Sequence, residues 1–150
     1  MTIRIAHDDE DGTIEVHPDQ CLVRLIWKRP VTGKAYRNLL DRLLETVRQD
    51  GIKLWLSDGR RAGAILYADQ VWTMQEYTPQ VIGAGLERIA IVNSKDGLNL
   101  IAVDKLVSAT PPEAPYDVAF FEDPAIAQLW LMDPARRSSP VGTPSRRGSE

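Results

Sequence analysis

Residues 32–56 read TGKAYRNLLDRLLETVRQDGIKLWL, and this stretch decides the fold class. Thr32 can cap the start of a helix, and Gly51 stands just past its end, where a left-handed backbone is favourable. Residues 52–56 follow directly and predict a short buried strand. A helix that leads straight into such a strand is typical of an α/β protein. The apolar face of this helix is formed by residues at helical spacing, namely Tyr36, Leu39, Leu40, Leu43, Leu44 and Val47.

Three strands are predicted before this helix. Residues 2–7 and 13–17 flank an acidic turn that ends in Asp11 and Gly12, and Asp-Gly between alternating segments is a strong hairpin signal. Residues 20–27 are almost continuously apolar, which predicts a strand buried on both faces. We expect Cys21, which lies in this strand, to be a small core residue.

Strands and helices alternate after residue 56. Helices are predicted at residues 68–76 and 98–107, and a short one opens at Thr78-Pro79. Strands are predicted at residues 88–93 and 116–121, and a last helix begins at Asp123-Pro124. This alternation favours parallel strands joined by helical crossovers. We therefore predict an α/β fold with a mixed five- or six-stranded sheet, an N-terminal β-hairpin and flanking helices.

The chain divides into a domain and a tail. Residues 1–132 carry the predicted elements, whereas residues 133–150 read DPARRSSPVGTPSRRGSE and contain Val141 as their single large apolar residue. Such a segment buries too little apolar surface to offset the entropy of ordering, so we predict a disordered tail.

Composition narrows the class of protein. The net charge is -3, whereas nucleic-acid-binding domains are basic, so we expect no nucleic-acid partner. No apolar run approaches the length that spans a bilayer, and the N-terminus lacks the pattern of a signal peptide. Cys21 is the single cysteine, which suits a reducing compartment. We predict a cytoplasmic protein without a membrane span.

Recognisable catalytic and cofactor motifs are missing from the sequence. Gly83 and Gly85 begin a dinucleotide-type pattern, but its last glycine is absent and it precedes a strand where it should follow one. His7 and His17 are equidistant from the hairpin turn and could face each other, but no further ligand or base converges on them. We predict no catalytic residue, no cofactor and no metal.

Four residues are the candidates for ligand binding. Trp55 and Trp72 could line a pocket for an apolar small molecule, although core packing is the simpler interpretation of both rings. Asp58 and Arg60 follow the strand that ends near residue 56, and open α/β sheets bind ligands at the carboxyl ends of their strands. An unrecognised enzyme would use this pair.

Several segments resemble bacterial proteins of the SpoIIAA-like type, within the broad STAS and SEC14-like group. They are the strand Lys53-Leu54-Trp55-Leu56-Ser57-Asp58, the helix with Trp72, the strand at residues 87–92, and the end of the domain from Phe120 to Leu131. The resemblance covers roughly residues 20 to 132. It implies a mixed sheet flanked by helices in a regulatory or binding domain.

The resemblance also shapes the functional hypotheses. Anti-sigma-antagonist members carry an Asp-Ser-Ser-Gly phosphorylation motif, but residues 63–69 here contain no serine, so that switch is not expected. The SEC14-like relatives imply a hydrophobic-ligand pocket. Our first hypothesis is a non-enzymatic regulatory or protein-interaction module with an unknown partner or a second copy of itself. The alternative is a carrier or sensor of an apolar small molecule.

Overall fold

The sheet confirms the predicted α/β class. A computed structural model describes residues 2–134 and contains one six-stranded sheet whose strands lie in chain order. The strands are β1 (Arg4–Asp8), β2 (Gly12–His17), β3 (Leu22–Trp27), β4 (Leu54–Asp58), β5 (Arg88–Val92) and β6 (Asp117–Phe121). The predicted disorder of the tail falls, from residue 135 onward, outside the described residues.

The helices connect and follow these strands. They are α1 (Gly33–Asp50), α2 (Tyr67–Trp72), α3 (Thr78–Ile82), α4 (Gly97–Ser108) and α5 (Pro124–Met132). A π-helical turn at Thr73–Tyr77 joins α2 to α3, and a 3-10 turn at Pro18–Gln20 joins β2 to β3. The segment from residue 67 to residue 82 is therefore one continuous helical stretch with a wide turn in its middle.

Strand direction explains how the helices are distributed. Strands β1, β2 and β3 pair antiparallel, and β3 to β6 pair parallel. Because the parallel strands follow one another in a single direction across the sheet, crossovers of the usual right hand place their helices on the same face. Helices α1 to α4 occupy that face. Helix α5 comes after the last strand and covers the other face.

Alternating side chains along β4 pack against the helices on both faces of the sheet. Trp55 belongs to the apolar cluster beneath α1 and α3, whereas Leu54 and Leu56 pack with Trp130 and Leu131 of α5. A strand with apolar residues on both faces is what a parallel sheet covered on both sides requires.

Helix α1 is capped by a residue distant in sequence. Thr32 occupies the N-cap position, but its side chain makes no capping hydrogen bond, contrary to prediction. The buried carboxylate of Asp69, in α2, accepts a hydrogen bond from the Gly33 backbone N–H at 2.7 Å and one from Arg37 Nε at 3.1 Å. Asp69 thus satisfies a free donor of α1 and ties the two helices together.

Cys21 is not a core residue, so that prediction was wrong. Strand β3 begins at Leu22, and Cys21 ends the preceding 3-10 turn with an exposed side chain and a left-handed backbone, φ 52°. Its carbonyl oxygen accepts hydrogen bonds from the backbone N–H groups of Lys53 and Leu54. These bonds hold a conformation that normally favours glycine.

Charged residues around the hairpin pair with each other. Lys28 Nζ lies 2.6 Å from Asp8 Oδ1, and Arg29 Nε lies 2.9 Å from Asp11 Oδ1. The two histidines do not face each other, because His7 pairs with Ile14 across the hairpin. The acidic turn and the basic end of β3 are therefore partners on one solvated surface.

Candidate functional site

An apolar cavity lies between the sheet and helices α1 to α4. It is partly open to solvent and has a volume of about 170 Å³; an enclosed, engineered apolar cavity of about 150 Å³ stays dry and binds benzene. Aromatic walls come from Trp27, Tyr36, Trp55, Tyr77 and Tyr116, and aliphatic walls come from residues that include Val81, Ile89, Ile91, Val103 and Leu106. This cavity is the candidate ligand site.

Small residues form part of the cavity wall. Ser57 and Gly59 lie on the sheet side, and Ala62 and Gly63 lie in the loop before α2. Gly63 cannot carry a larger side chain, since a Cβ atom there would lie 2.5 Å from Pro30 Cβ. The loop therefore packs closely against its neighbours while leaving space beneath α4.

The hydroxyl groups of Tyr36, Thr73 and Tyr77 in the cavity wall are bonded within the protein. Thr73 Oγ1 donates to the Asp69 carbonyl at 2.7 Å, so Tyr36 Oη, 2.9 Å away, must be the donor to Thr73. Tyr77 Oη donates to the buried carbonyl of Leu40 at 2.6 Å. The π-helical turn places Thr73 and Tyr77 on this wall, and such turns occur often at functional sites.

Other polar wall groups are paired in the same way. Asn99 Nδ2 donates to the Gly63 carbonyl at 2.8 Å, and Trp27 Nε1 donates to Ser57 Oγ at 3.4 Å. The Asn99 bond joins α4 to the loop on the other side of the cavity. These contacts hold the walls without a bound molecule.

Trp55 differs from these residues because its indole N–H has no hydrogen-bond partner among the described residues. Its side chain lines the cavity and is 9% exposed, and its indole N–H is buried with no acceptor among residues 2–134. A buried donor without a partner loses its hydrogen bond to water and gains nothing in return, at a cost of roughly 1–3 kcal/mol. The indole N–H of Trp55 is therefore a buried donor that the described residues leave without a partner, and it has almost no accessible surface.

The two cavity tyrosines predict loss of stability at alkaline pH. Burial raises the pKa of Tyr36 to about 12 and that of Tyr77 well above its ordinary value. Because these folded-state pKa values lie above the unfolded value of about 10, their contribution is complete below pH 10 and falls as pH rises toward 12. We expect the free energy of unfolding, measured in urea, to decrease over this range and to decrease less steeply in Tyr36→Phe.

An absorbance titration of the tyrosines could contradict this prediction. Full appearance of phenolate absorbance near pH 10, with the folded structure retained, would show that the tyrosine hydroxyls are accessible to water. The Tyr36→Phe variant serves as the comparison because it keeps the ring of the cavity wall and removes one titrating group.

Trp72 lies behind the cavity and does not line it. Its ring stacks on Tyr77, with centroids 5.3 Å apart, and meets Tyr36 edge-on at 6.2 Å. The Arg37 guanidinium lies 5.5 Å from the Trp72 ring centroid. Trp72 thus supports the two tyrosines that form the wall, while Trp55 is the predicted aromatic residue that reaches the cavity.

Asp58 and Arg60 form a closed pair at the end of β4. Arg60 Nε and Nη2 donate to the two oxygens of the Asp58 carboxylate at 3.0 and 2.8 Å, and the Arg60 backbone N–H also approaches Oδ1. Burial alone would raise the pKa of Asp58, but the bonds and charge of Arg60, with the charge of Arg24, lower it overall. A carboxylate engaged in this way is a poor general base.

A second depression lies between the hairpin turn and α1. It has a volume of about 560 Å³, and its walls are polar and include His7, Asp9, Asp11, Asp41 and Glu45. In the part of the chain that the structure describes, no group of three or more His, Cys, Asp or Glu side chains could hold a metal ion. The apolar cavity therefore has the more distinctive chemistry.

Sequence reasoning missed most of the cavity walls. Tyr36 was predicted as part of an apolar helix face, but the π-helical turn that brings Thr73 and Tyr77 beside it has no signal in the hydrophobic pattern. The clearest available signal was Trp55 followed by Ser57 on one face of a buried strand. A small polar residue such as Ser57, near Trp55 and Trp27, indicates that side chains do not completely fill the space on this face of the sheet.

Comparison with known proteins gave no match to a family model, to a curated protein or to a solved structure. The SpoIIAA-like resemblance therefore stays a prediction. None of the helices within residues 2–134 is long and apolar enough to cross a membrane.

Proposed function

We propose that this domain is a non-enzymatic regulatory module that binds a small apolar molecule, as a sensor or a carrier. The observation that carries the proposal is the cavity of about 170 Å³ beneath α4, with its aromatic and aliphatic walls. Ligand pockets in proteins are typically concave, largely apolar and already formed before the ligand binds. We further propose that the module acts in the cytoplasm, on the evidence of its single cysteine.

The polar contacts of the walls support a binding role. Closely bonded groups such as Tyr77 with Leu40 and Asn99 with Gly63 fix the cavity shape in advance, which lowers the entropy lost on binding. The alternative of an enzyme that uses Asp58 and Arg60 receives no support from their geometry, since each is already bonded to the other. A protein partner or self-association stays a prediction.

Benzene binding tests the proposal. Benzene at about ten times its Kd is expected to raise the free energy of unfolding by about 1.4 kcal/mol, because it binds only the folded state. Val103→Phe is expected to abolish this increase by placing a ring in the cavity from α4. The measurement is urea unfolding with and without benzene, combined with methyl chemical shifts of Val103 and Ile89 in the unmodified protein.

Ile101→Phe is the matched control. Ile101 lies on the same helix but is 64% exposed, so the added ring should leave benzene binding unchanged. Absence of both stabilisation and chemical-shift changes in the unmodified protein would contradict the proposal. Equal loss of binding in the two variants would show that α4 tolerates no large substitution, and the methyl shifts of the unmodified protein would then decide.

A further inference from the structure

We infer that the outer face of α4 is a self-association surface, on which a second copy of this chain packs its own α4 antiparallel to the first about a two-fold axis. This inference goes beyond the proposed function and does not depend on it, because the residues concerned face away from the cavity. Three features carry it: the apolar character of α4 on every side, the exposure of its outer side chains, and the charges at the two ends of the exposed stripe.

Helix α4 is apolar on every side. Its sequence is GLNLIAVDKLVS, in which Asp104 and Lys105 are the charged residues. A helix that is hydrophobic all round is normally buried, but within α4 only Asn99 and Ala102 are buried. Helix α1, in contrast, has charged residues along its exposed face. The sequence of α4 therefore suits a helix that is covered on both sides.

The contacts of α4 define its inner and outer sides. Asn99 Nδ2 donates to the Gly63 carbonyl at 2.8 Å, and Val103 lines the cavity, so these two residues mark the inner side. Leu98 and Ile101 lie three residues apart on the opposite side of the helix, and they are 66% and 64% exposed. Adjacent apolar side chains that are exposed in this way indicate an interaction surface.

The charges at the ends of this apolar stripe favour a second copy as the occupant. Asp96 precedes the stripe at the N-cap, where one carboxylate oxygen accepts from the Leu98 N–H, and Lys105 follows the stripe and is exposed. When two α4 helices lie antiparallel with Ile101 of each at the two-fold axis, Lys105 of each copy lies near Asp96 of the other. The surface is thus complementary to itself, which an interface between two identical patches requires.

The helix pair defines a small interface. The twelve residues of α4 span about 18 Å at the rise of an α-helix, and two packed helices lie about 8–10 Å apart. Contact along one such pair is smaller than the interfaces of permanent dimers. We therefore expect reversible dimerisation with a dissociation constant in the micromolar range.

Sedimentation equilibrium of the full chain from about 5 to about 500 µM tests the inference. We expect a monomer–dimer equilibrium, and we expect Ile101→Asp to raise its dissociation constant about a hundredfold, because the two-fold axis buries the new charge twice. Leu129→Asp is the matched control. Leu129 is 67% exposed on α5, which covers the other face of the sheet, so this substitution should leave the dissociation constant unchanged.

A cysteine variant tests the two-fold arrangement directly. In a Cys21→Ser background, Ile101→Cys is expected to form a disulfide between two copies under oxidising conditions, since the axis brings the same position of both chains together, whereas Leu129→Cys is not. A chain that stays monomeric at the highest concentration, or a dimer that Ile101→Asp leaves intact, would overturn the inference and assign the stripe to a different protein partner. Neither result would affect the benzene test, which concerns the inner side of α4.

Discussion

Arg88→Ala is expected to lower the free energy of unfolding by about 4 kcal/mol, through a lost side-chain volume and lost hydrogen bonds. Arg88 begins β5 and is 1% exposed. Its guanidinium donates to the carbonyl of Trp130 and, at 3.0 Å, to that of Asp133, at the end of α5. Arg88 therefore caps the C-terminus of this helix, whose last carbonyls have no partner within the helix.

The ring of Trp130 adds to the effect. The Arg88 guanidinium lies 5.5 Å from its centroid, and the same cation partly offsets the burial that raises the pKa of Asp117, its neighbour on β6. The substitution would remove both of these favourable interactions. Urea unfolding monitored by circular dichroism measures the change.

Two further variants separate the loss of side-chain volume from the loss of hydrogen bonds in Arg88→Ala. Arg88→Met restores volume without the donors and is expected to lower stability by about 2 kcal/mol, the part that belongs to the unpaired carbonyls. Arg42→Ala is the control, because Arg42 is exposed on α1 and should change stability by less than about 0.5 kcal/mol. Similar losses in Arg88→Ala and Arg42→Ala would refute the capping role.

Gly63→Ala is expected to destabilise the protein by about 2–3 kcal/mol and to change the cavity. A Cβ atom at this position would lie 2.5 Å from Pro30 Cβ and 2.8 Å from Pro30 Cγ. The proline ring is stiff, so relief requires a shift of the loop before α2. Because the Gly63 carbonyl accepts a hydrogen bond from Asn99, that shift would also disturb α4.

Gly97→Ala provides the matched control for this substitution. Gly97 opens α4, and an alanine Cβ atom there would meet no heavy atom within 4 Å, so this substitution should be neutral or slightly stabilising. Unfolding curves and benzene affinity are measured for both variants. Unchanged stability and affinity in Gly63→Ala would mean that the loop is free to move and does not define the cavity.

Local patterns were enough to predict the framework of the fold. The apolar face from Tyr36 to Val47 and the glycine at position 51 produced α1 where expected, and Gly51 has the left-handed backbone, φ 61°. The alternation of strands and helices after residue 56 yielded the parallel half of the sheet. These features follow from periodicity and chain order, which a sequence displays directly.

Features that depend on contacts between distant segments could not be predicted. The cap of α1 comes from Asp69, and nothing near Thr32 indicates it. Cys21 was assigned to the core because its neighbours are apolar, but the 3-10 turn places it outside. The cavity itself is a property of packing, since small residues leave space only when larger ones from α1, α3 and α4 surround them.

A crystal structure of the protein grown with benzene tests the central claim most directly. The account predicts density for the ring in the cavity beneath α4, in contact with Trp55, Tyr77 and Val103, with the surrounding walls unchanged. Two results would contradict this claim. In one, Val103 and Trp55 are in contact and close the cavity; in the other, the cavity holds only ordered water at saturating benzene.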